Sequence, residues 1–319
     1  MPKVHTQTPT STEIIRRLES ELIHSITSKA TPSAERMAAQ IATLGPLSVQ
    51  LLDPTKKSIS GPLWRFVEQV FEREPLSLTI SKPTLTEEQR VEVVKFVFDS
   101  DVGLMRTDSN GTISERPDQL EPDQLEDNQQ HEQEQELEDG DENPDCSIAV
   151  LAGNTLICVV VTSMPRSKEK DATSTSYSVD SARPIDSWNS RLTAAFNYMD
   201  SKAITKLQQC GLGFESSIEV HVVACDARFR GALLGPSVDS GVEGNVKFSL
   251  FQRCLFAVEE LAKIQGCSAL YSYSHDGSSA RQIECGWEQL IKFPYTDLPA
   301  NVALSPVNNN NMCFMWKNI

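Results

Sequence analysis

Between Ser217 and Tyr295 the chain fixes an order of elements that constrains everything around it. A strand-like run (Ile218 to Ala224) leads into a basic turn carrying Arg228, Arg230, Gly231 and Gly235. An amphipathic helical pattern (Phe248 to Gln265), a second strand-like run (Ala269 to Tyr273) and a short helix ending at Gly286-Trp287 follow. A strand that passes through an Arg/Gly turn towards a helix aims backbone N–H groups at an anion such as a pyrophosphate. Taken alone, the same turn is equally an ordinary surface loop, so its neighbours decide the reading.

Those neighbours are legible. Thr10 and Glu13 have capping-box spacing, with Ile15, Leu18, Leu22 and Ile26 as a helical stripe behind them. A second helix follows Pro32-Ser33, with Met37, Ile41 and Leu44 on one face. The two helices are either an N-terminal extension (residues 1–45) or part of the main core. Leu47 to Leu52 alternates as a half-buried strand and ends at Asp53-Pro54. Pro62 opens a further helix, with Leu63, Phe66, Val67, Val70 and Phe71 at helical spacing, which closes at Glu74-Pro75-Leu76. The proline disfavours helical geometry at Glu74, placing its carboxylate at a bend. Thr86 and Gln89 cap another helix. Cys146 to Ala152 and Thr155 to Thr162 flank Gly153-Asn154, a strong hairpin signal. Trp188 to Leu207 is helical, with Leu192, Phe196, Met199 and Ala203 as its stripe, and Met312 to Trp316 closes the series as a strand.

Charge separates the folded part from the rest. The chain of 319 residues carries a net charge of -15. Glu115 to Asp145 holds 14 acidic residues and one arginine, or -13, which leaves 30 acids against 28 basic residues elsewhere. The near-neutral remainder has no basic stripe with interleaved aromatics, so nucleic-acid binding is not expected. Residues 106–145, with their tandem pentapeptide from Pro117 to Glu126, cannot bury enough apolar surface to offset ordering entropy and read as a disordered insertion. Residues 166–186 form a second polar insertion. Eight cysteines stand singly, mostly in apolar runs and without metal-ligand spacing. They read as buried reduced thiols, and no metal site is expected. No apolar run reaches the roughly 18 residues of a membrane span and no signal-like h-region is present. A cytoplasmic protein without membrane contact is the expectation; oligomeric state is not legible.

The order of elements resembles the GNAT superfamily of acetyl-CoA-dependent N-acetyltransferases, and in detail the invertebrate arylalkylamine (dopamine-type) N-acetyltransferases. Four segments carry the likeness: Val70 to Leu76, ending in an acid-Pro-Leu motif; Val222 to Gly235, strand and phosphate turn; Ser278-Ser279-Ala280-Arg281; and Gly286-Trp287-Glu288 through Phe293 to Asp297. The resemblance covers roughly residues 46–106 and 146–319. It implies an α+β GNAT fold over residues 46–319, with a mixed, mostly antiparallel central sheet flanked by helices. It further implies that acetyl-CoA is the co-substrate and a small primary amine, such as a biogenic monoamine, the acceptor, with direct attack on the thioester. The strand containing Val222, Val223 and Cys225 would hold the pantetheine arm, and Arg230, Gly231, Ala232 and Gly235 the pyrophosphate.

The resemblance assigns the general base to Glu74, against a plain solvent-facing glutamate. It places Ser279, and across a gap Ser274, where a proton passes to the leaving thiolate. His221 is a second candidate base, since a neutral imidazole near pH 7 suits amine deprotonation; a packed core histidine is the alternative. Two departures stand out. Leu233 occupies the position of the first key glycine, and Pro236 to Lys247 intervenes before the helix. They leave room for a rival reading, a catalytically weakened GNAT-fold binding or regulatory protein. A third, an antizyme-like regulator, has no counterpart to the first hundred residues.

Composition also yields a test. Deleting residues 107–143 removes nearly all the excess charge and almost no apolar side chains. The shortened protein is expected to unfold within about 5 °C of the parent, and a larger drop, equivalent to roughly 1–2 kcal/mol, would show that the segment packs on the fold.

Overall fold

A computed structural model describes residues 9–28, 31–52, 63, 66, 76, 146–163, 188–234, 247–303 and 311–319. Its centre is a sheet of seven strands: β1 (Leu47–Leu51), β2 (Ile148–Ala152), β3 (Thr155–Ser163), β4 (Ser217–Cys225), β5 (Ala269–His275), β6 (Glu288–Pro294) and β7 (Asn311–Asn318). They lie in the order β1-β2-β3-β4-β5-β7-β6. Only β4 and β5 pair in parallel; all other neighbours are antiparallel, so the mixed, mostly antiparallel sheet is as expected.

Five helices are described: α1 (Ser11–Thr27), α2 (Pro32–Leu44), α3 (Trp188–Cys210), α4 (Leu250–Ile264) and α5 (Asp276–Glu284). Leu63, Phe66 and Leu76 are also helical and buried. The first helix starts where the capping box requires. Thr10 Oγ1 accepts from the Glu13 N–H at 3.3 Å, and the Glu13 carboxylate accepts from the Thr10 N–H at 2.7 Å. A second capping box, Ser249 with Gln252, starts α4.

The β2–β3 hairpin turns on Gly153-Asn154 with Ala152 opposite Thr155. Gly153 has a φ of 57°, and a Cβ there would meet the Leu44 carbonyl oxygen at 2.2 Å, so the turn needs a glycine for conformation and for space alike. That close approach brings the end of α2 against the hairpin.

Two apolar clusters fill the faces of the sheet. One joins α1, α2 and α4 to the inner residues of β2, β3 and β4, including Ile14, Leu18, Leu22, Met37, Ile148, Val160 and Leu255. The other packs α3 on β5, β6 and β7 through Leu192, Met199, Ala203, Tyr271, Phe293 and Phe314. Phe293 and Tyr295 belong to this core. Seven cysteines are buried free thiols, while Cys210, at the end of α3, is exposed, contrary to the uniform burial expected.

The strand β6 is absent from the sequence reading. It is an edge strand with a shift of register between Gln289 and Ile291, a polar start and a proline at its end, so no clean alternation marks it. Glu74 and Gly235, the capped helix after Thr86 and both polar insertions lie outside the described residues. Among the described residues no helix is long and apolar enough to cross a membrane.

Leu22 is fully buried between α1 and the sheet. Leu22→Ala should cost about 2–5 kcal/mol in denaturant unfolding, the usual range for such a cavity. A loss below about 1 kcal/mol would mean that α1 is an appendage and not a wall of the core.

Candidate functional site

The parallel ladder between β4 and β5 covers only Ser217 to Glu219 against Ala269 to Tyr271. Beyond it each strand keeps its outer partner: β4 pairs with β3 as far as Cys225, and β5 with β7 as far as His275. The two strands therefore part, and a cleft of about 710 Å³ opens between them. One wall is the run Val220 to Asp226 with Ala227, Arg230 and Gly231; the other is Ser272 to His275 with Ser278, Arg281 and Gln282. The first turn of α4 (Ser249 to Phe251) and the side chains of Phe66, Leu76, Leu192 and Phe196 complete it.

This cleft collects most of the residues singled out from sequence. His221, Val222, Val223, Cys225, Arg230, Gly231 and Ser274 line it. Ala232 lines a smaller hollow next to it. Ser279 lies elsewhere: it is 4% exposed, and its hydroxyl donates to the Asp276 carbonyl in its own helix at 3.0 Å.

At the deep end of the cleft is a polar chain. His221 Nδ1 lies 3.3 Å from Glu219 Oε1, and the same carboxylate accepts from the Tyr271 hydroxyl at 2.8 Å. The Tyr273 hydroxyl donates to Asp200 of α3 at 2.6 Å. Burial first, and then the Glu219 and Asp200 carboxylates, push both phenols well above their ordinary range, so they stay protonated as donors. Ser274 is 3.2 Å from Ser272, whose Oγ accepts from Gln282 Nε2 at 2.7 Å. Glu219, Asp200 and Tyr273 were not singled out from sequence as site residues, and Arg281 was named only as part of the Ser278 to Arg281 segment. Their strand and helix positions were legible, but which of them meet depends on where β4 and β5 separate.

The turn after β4 is closed by its own side chains. The Arg228 N–H donates to Asp226 Oδ1 at 2.8 Å, and the Arg228 guanidinium grips both Asp226 oxygens at 3.0 and 2.7 Å. The N–H groups of Phe229 and Arg230 both donate to the Asp226 carbonyl, and that of Ala232 to the Phe229 carbonyl. Gly231 has a φ of 73°, the left-handed conformation that such a turn favours in glycine. Past it, the Leu233 carbonyl accepts from the Thr31 hydroxyl at 2.8 Å and the Leu234 N–H donates to the Phe248 carbonyl at 2.9 Å. The backbone around Leu233 is thus committed to α2 and to the start of α4. The sulfur of Cys225 donates to that of Cys158 at 3.0 Å. Hydrogen bonds with Cys225 and Cys254, together with burial, push the Cys158 thiol well up.

The arrangement of strands and helices around this cleft is similar to that of solved structures. The polyamine N-acetyltransferase of Drosophila melanogaster, an enzyme that catalyses the formation of N-acetylagmatine, superposes with a TM-score of 0.52 at 11% identity. The match covers 86% of this chain and 100% of that one. This is the GNAT fold. An agmatine N-acetyltransferase in its apo form matches with a TM-score of 0.50 at 11% identity, over 86% of this chain and 99% of its own. No protein-family model matches the sequence, and no curated protein matches it. Within the GNAT fold of this chain, Leu47 begins the sheet, while α1 and α2 precede it, α1 packing on α4, on β1 and on α2.

The Asp226 carboxyl is held below its ordinary 3.8, chiefly by the Arg228 hydrogen bond. A lowered carboxylate stabilises the fold above its unfolded pKa, and that contribution is lost as pH falls through the folded value. Asp226→Asn should therefore cost about 0.5–1 kcal/mol at pH 7, modest because Arg228 is exposed, and nothing near pH 2. An equal cost at both pH values would assign the effect to the turn hydrogen bond rather than to charge.

Proposed function

We propose that the chain transfers an acetyl group from acetyl-CoA to a small primary amine. The observation that carries this reading is the opening between β4 and β5. Beyond Glu219 the β4 edge facing β5 is free of the parallel ladder, so its backbone groups are available to an amide-bearing ligand lying along the strand. The pantetheine arm of acetyl-CoA is such a ligand. Arg230 at the mouth supplies charge for its pyrophosphate, and the first turn of α4 presents the positive end of a helix there.

The amine attacks the thioester carbonyl carbon, the carbon–sulfur bond breaks, and the thiolate leaves. An alkylammonium must first lose a proton. His221 is on the cleft wall, and Glu219 beside it stabilises the imidazolium that forms. The thiolate end lies towards Ser274 and Tyr273, the hydroxyl groups on the opposite wall. Aromatic Phe196 and Tyr273, with Asp200 one step behind, suit an acceptor that combines an apolar body with a cationic group. Both an arylalkylamine and an agmatine-like aminoalkylguanidine satisfy that description.

A second reading, a GNAT-fold binding protein with weakened catalysis, is favoured by the backbone around Leu233. Where the fold's phosphate turn needs free N–H groups, Leu234 spends its own on Phe248.

Acetyl-CoA at 100 times its Kd should stabilise the protein by about 2.7 kcal/mol, a rise of roughly 5–10 °C in Tm. No shift at millimolar acetyl-CoA would sink the acetyl-transfer reading and leave the second, as a binding or regulatory role that does not use the cofactor. With an amine panel from tryptamine to agmatine, thiol release should be measurable. His221→Gln should then lower kcat/KM by about 10²-fold or more while the acetyl-CoA shift in Tm is kept. Full activity in that variant, with the same loss in Glu74→Gln, would transfer the role to Glu74. Binding without turnover of any amine would favour the second reading.

A further inference from the structure

Next to the cleft, and sharing Ala227, Arg230 and Gly231 with it, is a second hollow of about 280 Å³. Its floor is the basic turn and its far wall is the first half of α2, through Ser33, Arg36 and Gln40. Three guanidiniums, those of Arg36, Arg228 and Arg230, border it. Arg228 is neutralised by Asp226. Arg36 and Arg230 are exposed and, among the described residues, form no ion pair, although the Asp226 carboxylate also acts on Arg230. Guanidiniums facing one hollow repel each other, and an anion between them removes that cost.

Two further observations point the same way. The N-terminus of α2, capped by Thr31, lies at this wall and adds its partial positive charge. A Cβ built on Gly231 would meet nothing within 4 Å, so the turn leaves open space at this glycine.

Given the acetyl-CoA reading, on which this inference rests, we infer that the hollow binds a phosphate monoester, the 3′-phosphate on the ribose of coenzyme A. The pyrophosphate lies in the cleft by Arg230, and the ribose phosphate turns aside towards Arg36. The N-terminal helices are then part of the cofactor site, and Arg36 is a binding residue contributed by a segment that precedes the acetyltransferase sheet.

The test compares coenzyme A with dephospho-coenzyme A, which lacks only the 3′-phosphate, by calorimetry on the full chain. The parent should bind coenzyme A at least about tenfold more tightly, and that preference should shrink with added salt. Arg36→Gln should reduce the preference to about threefold or less while leaving dephospho-coenzyme A affinity unchanged. Arg36→Lys, which keeps the charge, should retain part of it. Equal affinity of the parent for the two forms would overturn the inference and leave the acetyl-CoA reading intact. A preference that survives intact in Arg36→Gln would overturn it too, placing the phosphate elsewhere. If neither form binds, the acetyl-CoA reading itself falls, and this inference with it.

Discussion

A parallel strand pair that stays together for three residue pairs and then separates imposes the main constraint on this molecule. Unpaired backbone groups inside a fold must be met by something, whether side chain, water or ligand. Here β4 and β5 can separate because each is fully paired on its outer side, to β3 and to β7. The separation starts at Glu219 and Tyr271, which are bonded to each other by side chain as well as by ladder. That junction closes the deep end of the cleft and fixes how far apart His221 and Tyr273 stand.

The helices before the sheet do more than cover it. Buried Arg253 of α4 reaches Glu21 of α1 at 3.3 Å, and Thr31 holds the Leu233 carbonyl. Burial lowers the Arg253 pKa, while the Glu21 charge offsets part of that cost. The turn at the cleft mouth is therefore braced from two directions, by Asp226 and Arg228 within it and by α2 from outside. A segment that reads in sequence as either an extension or part of the core is wired to the turn at the mouth of the cleft.

Strong local signals carried far in the sequence. The Thr10/Glu13 capping box, the Gly153-Asn154 turn and the β-branched runs of β2 and β3 each name an element through chemistry within a few residues, and each element is present. Where the signal is non-local, sequence falls short. The edge strand β6 is defined by its pairing to β7, and its residues alternate too poorly to announce it. The Glu219–His221–Tyr271 chain needs the separation of two strands some fifty residues apart in sequence. The arginine hollow joins residue 36 to residues 228–230, which no spacing rule connects. His221 was visible as a polar residue on an apolar strand, and its carboxylate neighbour two positions earlier was the signal available for the pair.

The strand β7 lies between β5 and β6, although it follows both in the chain. Until residues 311–318 take their place, β5 and β6 have no contact in the sheet, and β5 leaves its outer edge open. That edge starts with Ala269, Leu270 and Tyr271, all buried in the finished sheet, and an open edge of this kind recruits foreign strands until its own partner covers it.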